Sequence, residues 1–361
     1  MRTADLDYHL PDELVATTPA DPRDSARLMV VRRAADTVEH RRVRDLPDIE
    51  DGPAADDLLV LNDTRVLPAY FHAVRDATGG KVTGLYLADA PDNAWRIMLE
   101  SRGKLQPGEV IRLDDDATLT LMQRIEAGQW LARLDSAADS PTTLQRVGAT
   151  PLPPYIRKHR KQQGRDEVTD DDAERYNTVY ARDAGSVAAP TAGLHFTPKL
   201  LADLEARGVR IARVTLHVGL GTFAPVRAQR LEDHHIHRER IIVPADTIDA
   251  VRQTRDAGGR IIPVGTTTVR ALESLPQHLD ASRDYTADTS LFITPGPDGQ
   301  TAWPYRFTDA LLTNFHLPQS TLLALVAALP DVGVARLRDW YQQAVDQRYR
   351  FYSYGDAMLL T

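Results

Sequence analysis

Three histidines stand in short polar loops: His195 in Thr191-Ala192-Gly193-Leu194-His195-Phe196, His217 in His217-Val218-Gly219-Leu220-Gly221-Thr222, and His316 in Asn314-Phe315-His316-Leu317-Pro318. Loops of Gly, Thr, Asn and His pack poorly but hold small polar ligands well, and a histidine that titrates near neutrality is the usual proton shuttle. A fourth loop, Gly265-Thr266-Thr267-Thr268, opens a helix and offers backbone N–H groups and hydroxyls to an anion. Such a seat contributes ~0.3–2 kcal/mol for a carboxylate or phosphate. The plainer alternative is an ordinary Ser/Thr helix cap. Arg270 follows in the first turn and would reinforce the seat, with Glu273 expected to pair with it. Asn62-Asp63-Thr64-Arg65 closes the apolar run Leu58–Leu61 and adds a carboxylate. Seven of the 11 histidines fall between His195 and His316. Of these, His234-His235-Ile236-His237 invites a metal reading, since alternate histidines on a strand can share one ion. No third ligand cluster of matching spacing accompanies it, and Glu232, Asp233, Arg238 and Glu239 favour a charged turn. There is no nucleophile elbow, Walker loop or dinucleotide glycine fingerprint, so ATP hydrolysis and NAD chemistry have no support.

These loops are spaced by regular elements. From Val187 the pattern repeats strand, polar loop, helix. Thr197-Pro198 starts a helix with Leu200, Leu201 and Leu204 on one face, and Gly208 stops it. Val209–Val218 and Arg260–Val264 read as strands, Val269–Leu275 and Thr321–Leu329 as helices. Alternation of this kind argues for an α/β domain, in which ligands sit beyond the carboxyl ends of the strands. Residues 67–150 differ. Lys81–Leu87, Trp95–Leu99, Val110–Leu113, Thr118–Met122 and Gln129–Leu134 alternate with Thr78-Gly79-Gly80, Pro91-Asp92-Asn93, Pro107-Gly108-Glu109 and Asp114-Asp115-Asp116. That is the rhythm of a small antiparallel barrel. The expected architecture is therefore a large α/β domain, residues 1–66 plus 151–361, with an inserted small antiparallel β-barrel domain at 67–150. Pro151-Leu152-Pro153-Pro154 marks the exit.

At 361 residues, 42% hydrophobic and 26% charged, the chain has the composition of an ordinary globular protein. It has no cysteine, which removes disulfides, thiolate metal sites and cysteine nucleophiles. No apolar run approaches the ~20 residues of a membrane span, and the first residues lack a signal peptide's apolar stretch. A cytoplasmic protein with no membrane partner is expected. The net charge of −8 argues against nucleic acid held by global charge. A local basic arm remains: Arg157-Lys158-His159-Arg160-Lys161 with Arg165, followed by Asp166, Glu167, Asp170, Asp171, Asp172 and Glu174. It reads either as a solvated, self-balancing loop or as a phosphate-contacting arm. Arg32, Arg33, Arg41, Arg42 and Arg44 form a weaker basic set. The alternating aromatics of Tyr349–Tyr354 read as a final strand that belongs to the core more readily than to a base-stacking platform.

Blocks spread along the whole chain resemble the S-adenosylmethionine:tRNA ribosyltransferase-isomerase family of queuosine biosynthesis. They are Asn62–Ala69, Pro151–Ile156, Val187–Phe196, Val214–Val226, Leu231–His234, Val264–Ser274, Asp309–Thr321 and Arg350–Met358. The resemblance implies an α/β domain with an inserted barrel. It also implies transfer of the ribosyl part of S-adenosylmethionine to 7-aminomethyl-7-deazaguanine at the tRNA wobble position, giving epoxyqueuosine, adenine and methionine, without a metal; separately, a monomer is expected. The sulfonium acidifies ribose C5′, so the expected catalytic groups are a base among His195, His217 and His316, with Glu239 or Asp63 as carboxylate alternatives. Phe196 and Phe223 would steady the cation. The methionine carboxylate would suit Thr266, Thr267 and Thr268 with Arg270. The surrounding loop residues, Asn62, Thr64, Arg65, Thr191, Gly193, Gly219, Gly221, Thr222 and Asn314, complete the expected binding site, and Arg157, Lys158, Arg160 and Lys161 the expected tRNA arm. The chain departs from the family at Tyr70 (usually Arg), Thr83 (usually Glu) and Ile236 (usually Met), and in a longer Thr294–Phe307 segment. The competing expectations are a divergent S-adenosylmethionine-using relative with another acceptor, a non-catalytic tRNA-binding protein, and a metal hydrolase.

Overall fold

Leu58–Asn62 is apolar on both faces and wholly buried, which suits a strand covered by helices on either side. It sits inside a five-stranded sheet ordered Ile261–Pro263, Leu58–Asn62, Arg210–Leu216, Glu239–Val243, Tyr285–Thr289. The first three strands are parallel, with Leu59 opposite both Ile211 and Ile262. The last two run antiparallel. A four-stranded sheet, Leu311–Asn314, Ala357–Leu360, Arg27–Arg32, Thr37–Arg42, lies beside it, joined by one parallel bridge between Val264 and Leu312. The computed structural model of the chain describes residues 1–125, 128–219, 226, 228–301 and 303–361. The expected site residues Gly221, Thr222 and Phe223 lie outside the described residues.

Alternation along the strands divides the core in two. Leu28, Val30 and Leu359 join Leu59, Phe196, Leu200 and Leu204 on one face. Met29, Val31 and Met358 join Phe315, Leu325, Trp340 and Phe351 on the other. The helix Pro198–Ala206 forms as its ends dictate: Thr197 accepts a hydrogen bond from the Leu200 N–H at 3.1 Å, and Gly208 follows at φ 86°. The C-terminal aromatics differ from expectation. The last strand is Ala357–Leu360, and Tyr349, Phe351 and Tyr354 precede it as buried core residues. A turn through Tyr352, at φ 74°, breaks the alternation before pairing begins. Of the basic set Arg32, Arg33, Arg41, Arg42 and Arg44, Arg32 pairs with Glu39 and Asp51 and Arg33 donates to the carbonyls of Thr361 and Pro330, while Arg41, Arg42 and Arg44 are exposed.

Chain contacts divide the protein into Met1–Thr64, Asn177–Asp183 and Ala189–Thr361 on one side and Arg65–Tyr176 with Ala184–Ala188 on the other. The second unit holds a closed antiparallel barrel. Its strands run Tyr70–Arg75, Lys81–Ala90, Ala94–Ser101, Gln129–Ser136, Ala117–Arg124 and Val110–Arg112, and Val110–Arg112 pairs back onto the first. Phe71, Trp95, Ile97 and Leu119 fill it. Tyr70 and Thr83 lie on its first two, paired strands, Tyr70 opposite Leu85 and Thr83 opposite His72.

This unit extends past the expected end at residue 150. The basic segment, expected as a loop or arm, is a helix, Pro154–Gln162. Arg160 is buried and makes a bidentate pair with Asp172 at 2.6 and 2.9 Å, and the Arg157 guanidinium lies 4.3 Å from the Tyr70 ring centre. The Arg157–Tyr70 contact ties the helix to the barrel, and the Arg160–Asp172 pair closes the segment on itself. That pair also removes Arg160 from the groups available to a phosphate, because a bidentate pair satisfies the guanidinium fork. Lys161 pairs with Glu167 at 3.1 Å but stays exposed, as do Lys158 and Arg165. Among the described residues no helix is long and apolar enough to cross a membrane.

Candidate active site

Strands Leu58–Asn62, Arg210–Leu216 and Ile261–Pro263 are parallel, and Leu311–Asn314 aligns with them through the Val264–Leu312 bridge. Their carboxyl ends therefore deliver Asn62–Thr64, His217–Gly219, Gly265–Thr267 and Asn314–His316 to one edge, the place where open α/β sheets bind ligands. The 3-10 turn Thr191–His195 completes the edge. The Thr191 hydroxyl donates to Asn314 Oδ1 at 2.8 Å, and Asn314 Nδ2 lies 3.2 Å from His195 Nε2. Gly193 permits this close approach, since a Cβ there would stand 2.1 Å from the Tyr180 hydroxyl and 2.9 Å from the Thr178 methyl. We expect Gly193→Ala to cost about 1–3 kcal/mol in urea unfolding, the usual cost of overpacking. An unchanged unfolding midpoint would show that the turn can shift freely.

A cleft of about 330 Å³, open to solvent, lies among these loops, lined by Thr191, Val218, Thr266, Thr267, Asn314 and His316. Asn62 is spent on pinning its wall. Its Oδ1 accepts from the backbone N–H groups of Thr64 and Leu216, both at 3.1 Å, and its Nδ2 reaches the Leu216 carbonyl at 3.1 Å and the Thr267 hydroxyl at 3.3 Å. Thr64 holds the His217 ring, with Oγ1 2.8 Å from Nδ1. Asp63 is fully buried; it accepts from the Thr215 hydroxyl at 2.7 Å and pairs with Arg182 at 3.1 Å. Burial raises its carboxyl above the usual range despite those partners. Arg65 is exposed and belongs to the second unit.

Burial sets the state of the three histidines. It pushes His195 down to about 4, opposed in part by Asp356, and His316 down to about 3. The His316 ring bonds the Thr313 hydroxyl at 2.9 Å, and its backbone N–H donates to the Tyr341 hydroxyl at 3.0 Å. His217 is only half-buried and is also lowered by burial. All three are neutral at pH 7. Each can accept a proton, and the more deeply buried pair are the weaker bases.

The helix Thr266–Glu273 starts after Gly265, at φ 90°. Thr266 and Thr267 line the cleft, whereas the Thr268 hydroxyl turns back to the Val264 carbonyl at 2.7 Å. Arg270 corrects the expectation twice. It is turned away from the seat and forms a buried pair with Glu239, while its Nε donates to the Leu291 carbonyl at 3.1 Å. Glu273 instead accepts from the N–H groups of Arg306 and Phe307, at 3.0 and 2.8 Å, and from the Thr308 hydroxyl at 2.9 Å. Those bonds anchor the end of the long Thr294–Phe307 segment. Glu239 also accepts from the Gly219 N–H at 3.0 Å. The Arg270–Glu239 pair lines a second hollow, open to solvent, with His234, His237 and Phe292; Leu322 lines both. Phe196 presents no face to a cation: it is fully buried against Leu200 and Leu204, because the extended backbone after His195 turns it inward. Among the described residues no group of three or more metal-ligating side chains comes together. Val218, Thr313 and Leu322 escaped sequence reasoning, since neither their type nor their spacing marks them as ligand-facing.

A mixed α/β enzyme with polar loops gathered at parallel strand ends and a closed six-stranded barrel is the class these features define. A family model described as "Queuosine biosynthesis protein" matches residues 3–360. A relative in Trichlorobacter lovleyi, named S-adenosylmethionine:tRNA ribosyltransferase-isomerase, is 44% identical over the whole of both chains. One of the same name in Rubrobacter xylanophilus is 46% identical over 100% of this chain and 98% of its own. The crystal structure of S-adenosylmethionine tRNA ribosyltransferase from Thermotoga maritima matches with TM-score 0.54 at 33% identity, covering 99% of this chain and 100% of that one. The chain belongs to the S-adenosylmethionine:tRNA ribosyltransferase-isomerase family, a family of transferases.

Proposed function

We propose that the protein transfers and isomerises the ribosyl moiety of S-adenosylmethionine onto 7-aminomethyl-7-deazaguanine at the tRNA wobble position, giving epoxyqueuosine and releasing adenine and methionine. The observation that supports this reading is the end-to-end match, at 44% identity, to a relative named S-adenosylmethionine:tRNA ribosyltransferase-isomerase, within a family described as "Queuosine biosynthesis protein". The chemistry of the cleft supports it. The methionine carboxylate suits the Thr266–Thr267 helix start, where backbone N–H groups precede the first intrahelical acceptor. The sulfonium acidifies C5′, and a neutral imidazole takes that proton. The resulting imidazolium, acidic because burial disfavours its charge, returns a proton to the departing adenine. One histidine can thus serve both steps. His217 is the strongest base of the three by its lesser burial. In the basic helix, Lys158 and Lys161 are the exposed groups available to tRNA phosphates.

The test incubates the protein with S-adenosylmethionine and tRNA carrying the 7-aminomethyl-7-deazaguanine base. Adenine is expected to appear in step with modified tRNA. Adenine release that ignores this tRNA points to another acceptor, and tRNA binding without adenine release points to a binding protein. Either result overturns the proposal.

A further inference from the structure

Thr64 is fully buried, so its hydroxyl must find its partners inside the protein. Two atoms lie within reach of Oγ1: His217 Nδ1 at 2.8 Å and the Asp183 carbonyl oxygen at 3.4 Å. The Thr64 backbone N–H, donated to Asn62 Oδ1 at 3.1 Å, keeps the residue in place. A hydroxyl has one hydrogen and two lone pairs, and a carbonyl oxygen can only accept. His217 Nδ1 can donate or accept, according to its tautomer. The other ring nitrogen, Nε2, makes no hydrogen bond among the described residues. Burial, and after it Arg240, oppose the protonated ring, while Asp183 and Asp63 favour it.

We propose that Thr64 and the Asp183 carbonyl fix His217 as the tautomer with hydrogen on Nδ1, making Nε2 the atom that takes and returns the proton. This rests on His217 as the base of the proposed reaction and deepens that role. Imidazolium carries hydrogen on both nitrogens, so in that state Nδ1 donates and Thr64 accepts. The Thr64 hydrogen then has one destination, the Asp183 carbonyl. The same arrangement fits the neutral ring, provided its hydrogen stays on Nδ1. Nε2 then bonds the C5′ proton, the C–H electron pair stays on carbon, and the proton later passes to the departing adenine nitrogen. No hydroxyl turns and no bond beneath the ring is lost in either step. The opposite tautomer, with Thr64 donating to Nδ1, puts hydrogen on Nε2 and leaves no base there. Imidazolium would then form only by delivering the proton to Nδ1, against the buried hydroxyl. Thr64 acts through His217 and is a positioning residue.

The test uses the intact protein with isotope-labelled histidine, the His217 signals being identified by their loss in His217→Gln. Nitrogen NMR of the neutral ring is expected to show hydrogen on Nδ1 and a bare Nε2. Hydrogen on Nε2 instead overturns the inference, and that arm needs no turnover. In Thr64→Val, which keeps the side chain's shape without its hydroxyl, hydrogen is expected to move in part to Nε2. The kcat for adenine release is expected to fall at least ~10-fold, with the dissociation constant for S-adenosylmethionine unchanged. Thr64→Ser, which keeps the hydroxyl, is expected to restore most of both. A folded Thr64→Val protein that retains either the wild-type tautomer or the wild-type kcat overturns the inference. Wild-type protein with hydrogen on Nδ1 but no adenine release faults the proposed function and leaves the tautomer assignment standing.

Discussion

Replacing His217 with alanine is expected to lower kcat for adenine release by ~10²- to 10⁴-fold, the range typical of a lost general acid–base group. Loss of KM for S-adenosylmethionine should be small, because an interaction made mainly in the transition state lowers kcat and leaves binding largely alone. The reasoning is comparative. His195 and His316 are pushed down to about 4 and about 3 by burial, so each is a weak base. His217 is half-buried, and its ring is fixed by the Thr64 hydroxyl at 2.8 Å. His316 lines the cleft with Nε2 held to Thr313, which suits a binding wall; His316→Ala is expected to raise KM more than it lowers kcat. His195 acts through Asn314 and is a positioning residue. Near-normal turnover in His217→Ala together with a collapsed kcat in His316→Ala would reverse the assignment. Normal turnover in all three would end the histidine-base mechanism.

Lowering the pH from 7 to 5 is expected to cost about 4 kcal/mol of folding stability through His195 and His316 together, at about 1.4 kcal/mol per pH unit per group below the unfolded value near 6.5. The sign follows from proton counts. Both imidazoles have folded values below the unfolded one, at about 4 and about 3. As pH falls through 6.5 the unfolded chain takes up two protons that the native state refuses, and equilibrium shifts toward unfolding. The loss saturates only below the folded values. Asp356, Arg350 and Arg23 face His195, and only Asp356 favours its charge. Asp63, raised by burial, works in the opposite sense as its carboxylate protonates at the acid end. Urea unfolding at pH 7, 6 and 5 measures the slope, and His195→Gln or His316→Asn should each remove about half of it. A flat profile in wild type would show that these rings reach solvent.

Local chemistry was legible. Thr197 and Gly208 bound their helix because a cap and a left-handed glycine act over three or four residues. The turns at Thr78-Gly79-Gly80 and Pro91-Asp92-Asn93 announced the barrel hairpins that the structure contains. The loops at His195, His217, Gly265 and His316 were recognisable as site material; strand direction brings the last three to one edge, and the His195 turn joins them through Asn314. Their types and spacing alone also suggested an anion seat at Thr266.

Partner choice across long separations was decided only by the tertiary structure. The local pattern offers Arg270 a carboxylate three residues away at Glu273, yet it pairs with Glu239 across the fold. Arg160 sits in a run of exposed-looking basic residues, yet it is buried on Asp172. Phe196 adjoins a polar loop but faces the core, and the barrel closes only because Val110–Arg112 registers against Tyr70–Arg75. Periodicity, caps and turn residues are nearest-neighbour physics and can be read along the chain. Which buried charge meets which, and which side of a loop faces the cleft, depends on strand register and on what else is packed nearby, and that exists only once the chain is folded.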